Sequence, residues 1–178
     1  MNKQPEVTGR TRQALVSAFC ALYQQKPIER ITVQEITRAS GYNRSTFYQY
    51  FTDIYDLLDY VENDVLAFVG ARVGAGNTSI HDMLALYEEK GPYLDALFGG
   101  FGNNRFFERL KDVMPIEAFA PSLPNDSPAA PYLAEYHKST MLSLFSLWQR
   151  RGRDLPPDAL AELMHRLYSG GIASLIDV

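Results

Sequence analysis

Between Asn43 and Phe51 stand residue types that could do chemistry on a nucleic acid: Arg44, Ser45, Thr46, Tyr48, Gln49 and Tyr50. A guanidinium can fork onto guanine, an amide can pair with adenine, and hydroxyls and phenols can hold phosphates. At about 100° per residue, Phe47 and Phe51 fall on one side of a helix over this run. Ser45, Thr46 and Gln49 take the opposite sector, with Arg44 and Tyr48 on one edge and Tyr50 on the other. The spacing predicts a helix pinned inward by its phenylalanines, with its polar side turned outward. The amides at its start would add an attraction for anions.

The other candidates for chemistry are sparse. His81, His137 and His165 stand apart in the sequence, and no pair has the spacing of metal ligands. Gly-x-Ser-x-Gly, a phosphate loop and a dinucleotide fingerprint are all missing. Asp53 with Asp56 reads as a helix cap, and Glu88 with Glu89 as solvated surface. Cys20 is the only cysteine, which leaves neither a disulfide framework nor a cysteine-based zinc site within one chain. Beside Phe19 on a predicted helix it reads as a packed thiol. No enzyme activity, metal or cofactor is predicted.

The elements that must position the polar helix are helical. From Thr11, the apolar residues Leu15, Ala18, Phe19, Leu22 and Tyr23 recur at helical spacing on one face, and Lys26-Pro27 stops that helix. Thr32-Val33-Gln34-Glu35 is a capping box opening a short second helix to about Ala39. Gly41 then turns the chain at no steric cost, and the polar helix runs from about Asn43 to Phe51. Leu15, Phe19 and Ile36 are the predicted seat for Phe47 and Phe51. Asp53 caps a fourth helix running towards Gly70.

Residues 70–79, rich in Gly, Ala, Asn and Ser, read as a connection. A helix over 80–90 closes at Gly91-Pro92, and Tyr93 to Phe98 forms a short one broken by Gly99-Gly100. Asn104 to Met114 carries Phe106, Phe107, Leu110, Val113 and Met114 at helical spacing. Five prolines between Pro115 and Pro131 exclude one regular helix there. Two long helices follow, about Tyr132 to Arg151 and Pro157 to Ile176. The first is apolar at Met141, Leu142, Leu144, Phe145 and Trp148, the second at Leu160, Leu163, Met164, Leu167, Tyr168 and Ile172. Ser169-Gly170-Gly171 admits two readings, a close backbone approach or a helix end. The class is all-α: an N-terminal three-helix bundle with a helix-turn-helix over 1–53, then a larger helical domain over 54–178.

Charge supports the division. The 178 residues carry a net −4. Residues 1–51, however, hold seven basic and three acidic side chains, and the remainder ten basic and eighteen acidic. A basic head on an acidic body approaches phosphates with one end. No stretch nears the roughly 20 unbroken apolar residues of a membrane span. The polar first ten residues lack the apolar core of a signal peptide. A cytoplasmic setting is predicted.

Residues from about Arg12 to Leu58 resemble the N-terminal domain of the TetR family of bacterial transcriptional regulators. The resemblance lies in Ile31-Thr32-Val33-Gln34-Glu35-Ile36, in the run from Ala39-Ser40-Gly41-Tyr42 through Phe47-Tyr48-Gln49-Tyr50-Phe51, and in Asp56-Leu57-Leu58. It implies that Thr32 and Gln34 touch phosphates, that Arg44, Ser45, Thr46 and Gln49 face base edges, and that Tyr48 and Tyr50 lie near phosphates. One departure is Thr52-Asp53-Ile54, where the family often has a lysine, so that binding leans on Arg10, Arg12 and Arg44. The tail weakly resembles the subgroup that includes regulators of dihydroxyacetone kinase operons. The resemblance further implies a homodimer on a pseudo-palindromic duplex operator, repressing until a small-molecule effector releases it. Tyr87, Phe98, Phe101, Phe107 and Tyr136 are the expected pocket lining, against the plainer reading that such aromatics, with Phe106, are ordinary core. The alternative is a member acting through a protein partner or as a coactivator, without a pocket.

Overall fold

The computed structural model describes residues 5–75, 80–114 and 128–171, and only the backbone of 5–7 and 80–86. Among these residues there are eight α-helices, one short 3-10 turn and no strand. The helices are α1 (Pro5–Tyr23), α2 (Val33–Ser40), α3 (Arg44–Phe47), α4 (Ile54–Gly74), α5 (Ile80–Leu97), α6 (Asn104–Val113), α7 (Ala130–Arg150) and α8 (Pro157–Gly170). None is long and apolar enough to cross a membrane. The all-helical class is as expected. The proline-punctuated stretch between α6 and α7 lies outside the described residues, apart from its last few.

The chain divides into two compact units. The first comprises residues 1–65 and 90–103, the second 66–89 and 104–178. In the first unit, the predicted seat is real: Leu15, Phe19, Ile36 and Phe47 are fully buried, and Phe51 nearly so. The ring of Phe47 lies 5.8 Å from that of Phe51, which meets Tyr60 of α4 edge-on at 5.6 Å. α1 packs on α2, and α2 on α3.

Residues 90–103 complete this unit. Lys90 pairs with Asp64, and the Tyr93 hydroxyl donates to Gln13 Oε1 at 3.1 Å. Gly102 passes so close to the Leu97 carbonyl that any Cβ would sit 2.0 Å from its oxygen, so only glycine fits. Next to it, Asn103 Nδ2 donates at 3.2 Å to the carboxylate of Glu62, which is wholly buried. That bond helps offset the cost of taking a carboxylate out of water.

Beyond α3, three boundaries differ from the sequence expectation. α4 runs through Gly70 to Gly74, and α5 runs through Gly91-Pro92 to Leu97. A proline inside a helix costs about 3 kcal/mol. Against that, Tyr93, Leu94, Ala96, Leu97 and Phe98 are all buried, and full burial of each large apolar side chain returns roughly 1.5–3 kcal/mol. The third difference is α8, which ends at Gly170. Gly171 has φ +64, and its N–H bonds Leu167 O at 3.1 Å. This favours the helix-end reading; residues from 172 on lie outside the described ones.

In the second unit, α7 packs against α6 and α8. Met141, Leu142, Phe145 and Trp148 of α7 are buried, as are Leu160, Ala161 and Met164 of α8. The turn between these helices is tied by the Trp148 indole N–H, which donates to Leu155 O at 2.8 Å.

Candidate nucleic-acid interface

The interface is built by two caps and a turn. At α2, Thr32 Oγ1 accepts from the Glu35 amide at 3.3 Å and the Thr32 amide donates to Glu35 Oε2 at 3.0 Å, the predicted capping box. Lys26 Nζ adds an ion pair to Glu35 at 2.5 Å. That bond, together with the donors of Thr32, holds the Glu35 carboxyl at about 2. Gly41 has φ +76, and its N–H and that of Tyr42 both return to Thr37 O, which closes α2 and turns the chain.

α3 is opened by Asn43, a residue to which the sequence reading gave no role. Its Oδ1 accepts from the Thr46 amide at 2.8 Å, from Ser45 Oγ at 2.7 Å and from Thr46 Oγ1 at 3.0 Å. The available signal was its type: asparagine is among the preferred N-caps, and here it precedes two hydroxyl residues. The bonds also set the chemistry of Ser45 and Thr46. Each hydroxyl has one proton and gives it to Asn43, so its lone pairs remain as acceptors.

The regular helix is shorter than expected, four residues rather than nine. Beyond Phe47 it tightens: the amides of Gln49 and Tyr50 bond the carbonyls of Thr46 and Phe47 at 3.2 and 2.9 Å. The chain must then reverse into α4. There Thr52 donates through its amide (2.7 Å) and hydroxyl (2.8 Å) to Asp56, while the Asp56 amide donates to Asp53 at 2.8 Å. The Thr52 amide, then its hydroxyl, lowers the Asp56 carboxyl below its ordinary value.

The structure places Arg44, Ser45, Tyr48 and Gln49 on the exposed side of this turn, Tyr48 at 52% exposure. Thr46 and Tyr50 are half-buried. The guanidinium of Arg12 lies 5.7 Å from the Tyr50 ring centre and 5.5 Å from that of Tyr60. Thr32 and Gln34 are exposed at the head of α2. Tyr42, 38% exposed, receives a bond from Thr11 Oγ1 at 3.4 Å and joins the same surface. Residues 44–50 thus offer a guanidinium, an amide, two hydroxyl acceptors and two phenols across a short stretch of surface, over a packed aromatic base.

The five expected pocket residues occupy different surroundings. Phe98 is buried in the first unit, where Phe101 is 40% exposed. In the second, Tyr87 lines a groove at the α7–α8 turn under Arg153, whose guanidinium is 4.3 Å from its ring centre. Phe107 lines another groove, between α6 and α7, and Tyr136 is 64% exposed on α7.

Fold and surface together define a helix-turn-helix head with a polar outer face. Residues 15–61 match the family of bacterial regulatory proteins, tetR family. The match takes in the later part of α1, α2, the turn, α3 and the start of α4, so this segment resembles the N-terminal domain of that family. Two solved structures share the fold. The dihydroxyacetone kinase operon activator DhaS aligns with TM-score 0.60 and 18% identity, over 92% of this chain and 96% of its own. A tetR-family transcriptional regulator from Streptomyces coelicolor aligns with TM-score 0.56 and 20% identity, over 92% and 82%. No curated protein sequence matches the chain.

Proposed function

We propose that the protein is a sequence-specific repressor, a cytoplasmic homodimer that reads a pseudo-palindromic duplex operator and leaves it when an effector binds. The observation that carries the reading is the Asn43-capped turn, which holds Arg44, Ser45, Tyr48 and Gln49 exposed above buried Phe47. Residues 1–53 are the reading head, and 54–178 the regulatory and dimerisation part. Thr32, Gln34, Tyr48 and Tyr50 hold phosphates, while Arg44, Ser45, Thr46 and Gln49 read base edges. The acceptor hydroxyls of Ser45 and Thr46 suit the amino groups of cytosine or adenine. Leu133, Tyr136 and Leu147 of α7 and Tyr168 of α8 are exposed apolar surface of the kind a second copy covers.

Selection of bound fragments from random duplex DNA tests this. Two inverted half-sites, spaced by one helical turn or a multiple, support it. A single half-site or no enriched sequence overturns it. That DhaS is an operon activator supports a second reading in which the same head recruits transcription. A reporter placed under the selected operator separates the two, since deleting the regulator raises expression in one case and lowers it in the other.

A further inference from the structure

The groove between α6 and α7, about 370 Å³, has a lining that the DNA-reading head does not explain. Ser139, Ser143, Ser146 and Arg150 stand at helical spacing on one face of α7, and Asn104, Glu108 and Lys111 do the same on α6. Three hydroxyls on a helix face that packs against another return less energy on burial than aliphatic residues would there. Leu142 and Phe107 supply the apolar part of the wall.

The charges are unevenly committed. Lys111 Nζ lies 2.7 Å from Glu135 and 3.0 Å from Glu108, so its charge is spent within the protein. Glu135 also receives Ser139 Oγ at 2.7 Å. Arg150 faces no carboxylate in the lining other than Glu108. Its Nη1 donates to the oxygen of Ser146, which is 2% exposed, at 2.7 Å. That bond holds the guanidinium along the serine face. Lys111 is thus matched within the protein by Glu108 and Glu135, and Arg150 is the cation that the serine face presents to a ligand.

We propose that this groove binds a small polyhydroxylated anion, a sugar acid or sugar phosphate in size and chemistry. The anionic group meets the fork of Arg150, and the hydroxyls meet Ser139, Ser143 and Asn104. The volume falls in the range of small-molecule sites, roughly 300–1,000 Å³. The assignment rests on the effector reading above, to which it gives a site and a ligand class.

Calorimetry on the full, DNA-free protein tests it without reference to operator release. The probes are gluconate, glycerol 3-phosphate, uncharged glucitol and inorganic phosphate. One of the two charged polyols binds at least ~10-fold more tightly than both glucitol and phosphate. Arg150→Gln, at an exposed position and with a good helix former, weakens that binding ~10-fold or more, and Ser143→Ala weakens it several-fold. Arg151→Gln, outside the groove, leaves it unchanged. Thermal melts of each variant confirm folding. Absence of binding for both charged polyols up to about 10 mM overturns the proposal. So does equal binding of inorganic phosphate, or native affinity in Arg150→Gln. If the operator is bound normally while all probes fail, the groove is refuted and the regulator stands.

Discussion

At the scale of single residues, the interface depends on which side chains face out and what holds them there. Arg44 is exposed, and its planar fork is the group suited to a guanine edge. Arg44→Ala should narrow the affinity gap between operator and random duplex by about 1–3 kcal/mol, read in a mobility-shift series. Tyr48→Phe removes one hydroxyl suited to a phosphate and should weaken binding to all sequences alike. If neither substitution changes affinity, the surface is misassigned. Asn43 acts differently, through the backbone: one oxygen gathers the Thr46 amide and two hydroxyls. Asn43→Ala should cost about 1 kcal/mol in urea unfolding and also lower operator affinity. Asn43→Asp, which keeps the acceptor, should restore stability but not binding, because it brings a charge towards phosphate.

At the scale of elements, the capping box of α2 carries a pH dependence. Glu35 sits at about 2 when folded, against an ordinary 4.5, because Lys26 and Thr32 bond its charged form. A carboxylate lowered on folding stabilises the native state above its unfolded value. That contribution is lost as pH falls through the folded one. Unfolding midpoints should therefore drop between about pH 4.5 and pH 2, more steeply in the native protein than in Glu35→Gln. Equal slopes would show that the carboxylate, exposed as it is, contributes nothing. The turn after α2 is a backbone matter: Gly41 has φ +76 and no atom near an added Cβ. Gly41→Ala should destabilise by about 1 kcal/mol, an effect of conformation alone, seen as a lower melting temperature.

At the scale of the molecule, Cys20 reports on the integrity of the head. It is 1% exposed, and burial pushes its thiol up to about 12. Since the thiolate is the reactive form, alkylation of the native protein should be slow and set by opening of the first unit. Adding urea should accelerate it in parallel with loss of helical circular dichroism. Fast labelling without urea would mean that this core opens readily.

Much of this was legible in the residues. The capping box over Thr32 to Glu35, the turn at Gly41, and Phe47 and Phe51 facing inward follow from local rules of spacing and backbone preference. These act within a few residues and need no partner. The charge imbalance between head and body is likewise a property of composition. What only the tertiary structure decided is non-local. Residues 90–103 complete the first unit, and Pro92 sits inside a continuous helix because the apolar residues after it find a core. The serines of α7 share a groove with α6, and the expected pocket aromatics fall in separate surroundings. Each of these depends on pairing segments far apart in the chain. Periodicity shows that a helix has an apolar or polar face, but only packing settles which other helix that face meets.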